Sequence, residues 1–193
     1  MSAREWIADR AVLPHVVQAT TRVVAVDGRV AEVDQAEVDQ AAAGPAATRL
    51  RGTLLPGFVD LQVNGAGGRS VDEATDDALD VVARAVWDGG AVAFLPTLIT
   101  APWDRLLEQV AAVSAWIGRY RGDGAEPLGL HVEGPCPVTP GAHDPACVVD
   151  PTPARVGELL DAAAGRLRLV TLGHARPGAA AATATLRERS VAV

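Results

Sequence analysis

The chain of 193 residues contains no lysine, so all 17 of its basic residues are arginines. This absence excludes a Schiff-base lysine, the lysine of a phosphate-binding loop and a carboxylated lysine that bridges two metal ions. With 24 acidic residues the net charge is −7, and no run of basic residues offers a surface to phosphate backbones. We therefore expect no nucleic-acid partner.

Cysteines and long apolar runs are also scarce. The two cysteines, Cys136 and Cys147, suit reduced thiols better than a disulfide scaffold. The N-terminus carries charges where a secretory signal peptide needs an apolar core. The longest uncharged stretch, residues 89–103, contains Pro96 and Pro102 and is too short to cross a bilayer. These features predict a cytoplasmic protein without a membrane partner.

The first part of the sequence favours β structure. Two valine-rich runs, residues 22–26 and 29–33, flank Asp27 and Gly28, and Asp-Gly between such runs is a strong hairpin signal. No strong helical pattern occurs before residue 56. We predict that residues 1–55 form a small N-terminal β unit, an incomplete β-sandwich.

From Pro56 onward, apolar strands alternate with amphipathic helices. The apolar spacing of i, i+3, i+4 and i+7 predicts a helix over residues 76–88. Strands are predicted at residues 58–63, 91–95, 128–132 and 167–172, and a further strand begins at residue 191. This alternation indicates an α/β fold with a parallel sheet. A complete (β/α)8 barrel needs about 250 residues, which is more than this chain has.

Polar side chains occur at the ends of two predicted strands. Alternation places Asp60, Gln62 and Asn64 on one face of the first strand, and His131 and Glu133 share a face of the third. Function gathers at the carboxyl ends of parallel strands. A carboxylate there is costly unless it is paired, hydrogen-bonded or metal-bound. Glu133 is therefore a candidate for metal binding or catalysis, whereas the amides could cap the following glycine turn and the histidine could be a hydrogen-bonded core residue.

Three motifs in order carry a family resemblance. Residues 55–65 (LPGFVDLQVNG), 95–100 (LPTLIT) and 128–135 (LGLHVEGP) resemble the N-acetylglucosamine-6-phosphate deacetylases of the amidohydrolase superfamily. Residues 141–145 (GAHDP) resemble the loop after the glutamate strand. The resemblance covers roughly residues 20–193, the first half of a full-length member. It implies that residues 56–193 form a partial (β/α)8 TIM-like barrel, about strands one to five.

The resemblance also implies the site and its chemistry. Glu133 would be a ligand of one divalent ion, zinc first, with iron, manganese or cobalt as alternatives. Gln62 and Asn64 would replace the paired histidines of other amidohydrolases, with His131 beside them, and His143 would lie near the sugar phosphate or its acetamide. The reaction implied is hydrolysis of the acetamide to glucosamine 6-phosphate and acetate, in amino-sugar catabolism. A homo-oligomer, a dimer in the family, is expected.

The remaining functional residues of the family would fall beyond Val193. These are two metal-binding histidines and the catalytic aspartate, and His174 is not assigned as one of them. A catalytic zinc needs about three protein ligands, so we expect no catalytic residue in this chain and no activity from it alone. The alternatives are a non-catalytic module that binds a sugar phosphate or a partner chain, and a different amidohydrolase. The Gln62-x-Asn64 pair argues against the latter, because those enzymes usually carry His-x-His.

Overall fold

The computed structural model describes residues 2–35, 47–134, 139, 141 and 143–193. The chain divides into two compact units, Met1–Pro56 and Gly57–Val193. In the described part of the chain, no helix is long and apolar enough to cross a membrane.

The first unit contains a sheet with strand order β3-β2-β1-β4. Its strands are β1 (Ala3–Leu13), β2 (Val16–Val26), β3 (Arg29–Gln35) and β4 (Thr48–Leu54). Strands β1, β2 and β3 are joined antiparallel, and β4 pairs parallel with β1. Asp27 and Gly28 connect β2 to β3 with φ of 50° and 78°, as a type I′ hairpin turn requires. The predicted hairpin is confirmed, and the incomplete sandwich stays a prediction.

The second unit alternates strands and helices along the chain. In chain order its elements are β5 (Phe58–Val63), β6 (Gly65–Ala66), β7 (Arg69–Ser70), α1 (Asp76–Asp88), β8 (Ala91–Leu98), α2 (Trp103–Arg119), β9 (Glu126–Pro127), β10 (Leu130–Glu133), α3 (Pro153–Ala163), β11 (Leu167–Thr171) and α4 (Ala179–Glu188). The main sheet has the order β11-β10-β8-β5, with all neighbours parallel. A parallel bridge between Leu169 and Ala192 continues it beyond β11. The predicted parallel α/β fold is therefore confirmed.

The core of this unit lies between the sheet and its helices. Helix α1 buries the apolar positions that the helical spacing predicted, including Leu79 and Val82. Strand β8 is buried from Ala93 to Leu98, so it is longer than the predicted 91–95 and continues through Pro96. The fully buried side chains packed between these elements include Leu79, Val82, Phe94, Leu98, Leu106, Val110, Val113, Leu130 and Val132. The carboxyl ends of the strands are thereby held in fixed positions.

A charged turn precedes α1. The Glu73 carboxylate accepts a hydrogen bond from the Ser70 N–H at 2.8 Å and from the Arg69 guanidinium at 2.7 Å. The pKa of Glu73 is held below its ordinary value. The hydrogen bonds from Arg69 are the largest cause, and the hydrogen bond from the Ser70 N–H is the next. The ionised carboxylate is therefore more stable in the folded than in the unfolded chain, and this contribution to stability requires ionisation.

We predict that Glu73→Gln lowers stability at neutral pH and has little effect in acid. The contribution of Glu73 is present above the pKa of the unfolded glutamate and is lost as pH falls through the folded-state pKa. Urea unfolding of the unsubstituted protein and of Glu73→Gln, from neutral to acidic pH, measures whether their free energies of unfolding converge. Glu108→Gln is the matched control, because Glu108 is 73% exposed and lies 4.0 Å from Arg105. A pH-independent difference for Glu73→Gln would contradict the prediction.

Candidate active site at the carboxyl ends of the parallel strands

Glu133, the last residue of β10, lies at the centre of the site. Its Oε2 accepts a hydrogen bond from Nε2 of Gln62 on β5 at 2.8 Å. Its Oε1 lies 3.9 Å from Nε2 of His143, and the glutamate side chain is 27% exposed. The fold thus assembles three of the predicted site residues from two strands and a loop.

His143 is held on its other side by a threonine. Its Nδ1 lies 2.7 Å from Oγ1 of Thr100, which follows β8 and is 7% exposed. The imidazole is largely buried, with 13% of the side chain exposed. It therefore lies between a hydroxyl and a carboxylate, in a position to donate or accept a hydrogen bond at the site.

His131 lies beneath the site and is only 1% exposed. Its Nδ1 is 3.1 Å from the Leu61 carbonyl oxygen and 3.2 Å from Oγ1 of Thr97. Its Nε2 is 2.9 Å from Oγ1 of Thr171. Burial lowers the pKa of the imidazole, although the Leu61 carbonyl and the Glu133 charge act in the opposite direction. Both ring nitrogens are engaged by the protein itself.

Asn64 and Asp60 contact the backbone of the strands. The Asn64 side-chain Nδ2 donates to the Thr97 backbone carbonyl at 3.3 Å. The backbone carbonyl of Asn64 accepts from the Val71 N–H at 2.8 Å. Asp60 Oδ1 accepts from the backbone N–H of Gln62 at 3.0 Å. Of the polar residues that alternation placed on this strand face, Gln62 is the one that donates to Glu133.

Cys147 and His174 are not among the described residues that contact Glu133, His143 or His131. Cys147 ends a short 3-10 helix, Pro145–Cys147, and its Sγ is 3.7 Å from Oδ2 of Asp144. Burial and the neighbouring Asp144 charge raise the pKa of the thiol, which disfavours the nucleophilic thiolate. His174 is exposed in the turn after β11. Cys136 lies outside the described residues.

The described residues do not assemble a complete metal site. Within residues 2–35, 47–134, 139, 141 and 143–193, no group of three histidine, cysteine, aspartate or glutamate side chains is arranged to hold an ion. Glu133 offers one carboxylate, whereas a catalytic zinc takes about three protein ligands and a water. The donor set in this part of the chain therefore does not complete a divalent site.

Sequence reasoning assigned no role to three threonines that contact the histidines of the candidate site. Thr97, Thr100 and Thr171 contact His131 or His143 through their hydroxyls. Each lies at or just beyond the carboxyl end of a strand, and that position was the available signal. Their hydrogen bonds span 34 to 43 residues of sequence, so no local pattern predicts which side chains they contact.

The curated proteins to which this chain is similar include amino-sugar-phosphate deacetylases. No protein-family model matches the chain. N-acetylgalactosamine-6-phosphate deacetylase of Escherichia coli O157:H7 is 31% identical over 142 residues, which are 72% of this chain and 37% of that protein. N-acetylglucosamine-6-phosphate deacetylase of Homo sapiens is 39% identical over 85 residues, which are 42% of this chain and 20% of that protein.

Solved structures extend the similarity over nearly the whole chain. N-acetyl-D-glucosamine-6-phosphate deacetylase from Mycobacterium smegmatis matches 97% of this chain and 48% of its own, with a TM-score of 0.85 and 29% identity. A mutant of the enzyme in complex with N-acetyl-D-glucosamine-6-phosphate matches 99% of this chain and 49% of its own, with a TM-score of 0.83 and 31% identity. The chain spans about half the length of these enzymes. The predicted resemblance to N-acetylglucosamine-6-phosphate deacetylases is confirmed.

Proposed function

We propose that this chain carries part of the active site of a metal-dependent N-acetylglucosamine-6-phosphate deacetylase. The observation that carries the proposal is the contact between the Gln62 amide and the Glu133 carboxylate, from two strands of one parallel sheet. The reaction is hydrolysis of the acetamide to glucosamine 6-phosphate and acetate. The substrate follows from the names of the similar enzymes, one of which was solved with N-acetyl-D-glucosamine-6-phosphate.

The architecture is part of the proposal. Strands β5, β8, β10 and β11 follow one another across the sheet in the same order as in the chain. Neighbouring strands are parallel, as are the first strands of a (β/α)8 barrel. We propose that residues 56–193 form such a partial barrel, preceded by the N-terminal β unit of residues 1–55. We further propose that the protein is cytoplasmic and forms a homo-oligomer.

Each residue of the site has a distinct role. Glu133 would hold a divalent ion, zinc by preference, which supplies an acidified water and polarises the acetamide carbonyl. Gln62 orients the Glu133 carboxylate through its amide. His143, held by Thr100, is placed to contact the amino-sugar phosphate. Because the described residues supply one carboxylate of about three ligands, the 193 residues alone are not expected to perform the hydrolysis.

A non-catalytic sugar-phosphate-binding module is the second candidate. The incomplete metal donor set of the described residues favours it, because binding of the sugar phosphate does not itself require a hydrolytic metal. The two functions predict different results when the chain is joined to the rest of an enzyme. A deacetylase would release acetate, whereas a binding module would bind the sugar phosphate without releasing acetate.

The experiment compares the chain alone with a fusion. The chain is joined to the part of the Mycobacterium smegmatis deacetylase that it does not cover, and acetate release from N-acetylglucosamine 6-phosphate is measured with bound metal. From the chain alone we expect less than one bound metal ion per chain and no acetate. From the fusion we expect a bound metal ion and release of acetate. Glu133→Gln should lower acetate release from the fusion by more than about 100-fold, the upper end for residues that only support a metal ligand.

Glu188→Gln, an exposed carboxylate at the end of α4, is the matched control and should leave activity unchanged. A cooperatively unfolding fusion that binds N-acetylglucosamine 6-phosphate without releasing acetate would favour the binding module. Full deacetylation by the chain alone would contradict the assignment of a single metal ligand to it.

A further inference from the structure

Strand β5 contains a bulge between Asp60 and Val63, which includes Gln62. Asp60 pairs with Phe94 and Val63 pairs with Pro96, so three steps along β5 match two along β8. Such a bulge leaves a residue outside the regular ladder and redirects its side chain.

Two buried side chains take over the hydrogen bonds on either side of Gln62. The Leu61 carbonyl can only accept, so the hydrogen in its 3.1 Å contact with His131 must be on Nδ1. The Val63 N–H donates to Oγ1 of Thr97 at 3.1 Å, and that hydroxyl donates to the Leu95 carbonyl at 3.0 Å. Both peptide groups that flank Gln62 are therefore fixed by side chains.

Thr171 completes the network from the opposite side. With the hydrogen on Nδ1, the neutral imidazole presents an acceptor at Nε2, and the Thr171 hydroxyl donates to it at 2.9 Å. The hydrogen bonds then connect β11, β10, β8 and β5 in one layer. Thr97 and His131 are 2% and 1% exposed, so water does not compete effectively with their hydrogen bonds to β5, whereas Thr171 is itself exposed.

We propose that Thr97, His131 and Thr171 are positioning residues that fix the bulge in β5 and thereby direct the Gln62 amide onto Glu133. They act through Gln62, whose Nε2 lies 2.8 Å from Glu133 Oε2. The importance of this role for catalysis rests on the proposed function. The geometry itself is a property of the chain and can be measured without turnover.

Two substitutions of His131 separate positioning from packing. In His131→Asn the side-chain amide nitrogen replaces Nδ1 and can still donate to the Leu61 carbonyl. In His131→Gln the longer side chain places its amide near Nε2, so the contact with Thr171 is retained and the donor to Leu61 is lost. Both variants remove the ring, so a merely structural role would be affected in both.

The measurement is the NMR signal of the Gln62 side-chain amide in the full chain labelled with nitrogen-15, assigned by its disappearance in Gln62→Met. We expect this signal to be retained in His131→Asn. In His131→Gln it should shift toward that of a free amide, with proton exchange at least about tenfold faster, as loss of a hydrogen bond to a carboxylate implies. The Trp116 indole N–H, 2.9 Å from Asp80 Oδ1, should be unchanged in both and reports an intact fold.

Equal behaviour of the Gln62 amide in the two variants would overturn the proposal. If His131→Gln does not fold, Thr97→Ser and Thr97→Val decide in the same way, because serine keeps the hydroxyl and valine removes it at nearly constant volume. Retention of the Gln62 signal in a folded Thr97→Val protein would then overturn it. Failure of the fusion to release acetate refutes the deacetylase function but leaves these NMR outcomes unchanged, so the two failures are distinguishable.

Discussion

Phe94→Ala is expected to lower the free energy of unfolding by about 3–5 kcal/mol, the usual loss for a buried phenylalanine. Phe94 lies in the middle of β8 and is 0% exposed, and β8 is paired with both β5 and β10. Alanine leaves a cavity that the two neighbouring strands and the helices cannot easily close. Domains are stable by about 5–15 kcal/mol in total, so this single change removes a large share. Urea unfolding followed by circular dichroism measures it.

The control is the other phenylalanine of the chain. Phe58 begins β5 and is 62% exposed, so Phe58→Ala should change the free energy of unfolding by no more than about 0.5 kcal/mol. The two substitutions remove the same atoms from the same residue type. Similar losses at both positions would mean that β8 is not the buried centre of the sheet.

Gly124→Ala is expected to destabilise the chain by about 1–3 kcal/mol or more. A Cβ at this position would lie 2.6 Å from both the Ala83 carbonyl oxygen and the Arg84 nitrogen. These are backbone atoms of α1 and cannot move aside as a flexible side chain would. The loop must therefore separate from the helix, which strains the hydrogen bond from the Ala125 N–H to the Ala83 carbonyl, 2.9 Å long.

The same substitution in α3 should have the opposite sign. Gly157 lies within the helix, and a Cβ there has no neighbour within 4 Å. Gly157→Ala is expected to stabilise the chain by about 0.5–1 kcal/mol, because alanine loses less backbone entropy in a helix. Thermal or urea unfolding of the two variants tests both signs, and destabilisation by both would show that α3 does not tolerate the added methyl group.

Local patterns predicted the elements well because local forces determine them. The apolar spacing of residues 76–88 gave α1 with the bounds observed, Asp76–Asp88, since a helix buries one face at a fixed period. The end of β8 was predicted too early at residue 95, because proline usually ends a strand. Strand β8 continues to Leu98, and Pro96 pairs with Val63 at the end of the bulge in β5.

The candidate site was predictable in its residues but less so in its contacts. Gln62 and Glu133 were singled out from strand ends, yet their hydrogen bond joins positions 71 residues apart, which only the sheet order brings close. Simple alternation treats Gln62 and Asn64 as equivalent. The bulge breaks that equivalence, and the Asn64 amide donates instead to the Thr97 carbonyl. Such an irregularity depends on the fit between strands and leaves no local pattern.

The hydrogen bond from Gln62 to Glu133 has an electrostatic consequence. An amide carries no net charge, so it orients the Glu133 carboxylate without neutralising it. The negative potential at this end of the sheet therefore persists and attracts cations, more weakly as ionic strength rises. The same potential repels a phosphate group, which is also negative. In the proposed deacetylase, a cation would therefore bind before the anionic sugar phosphate.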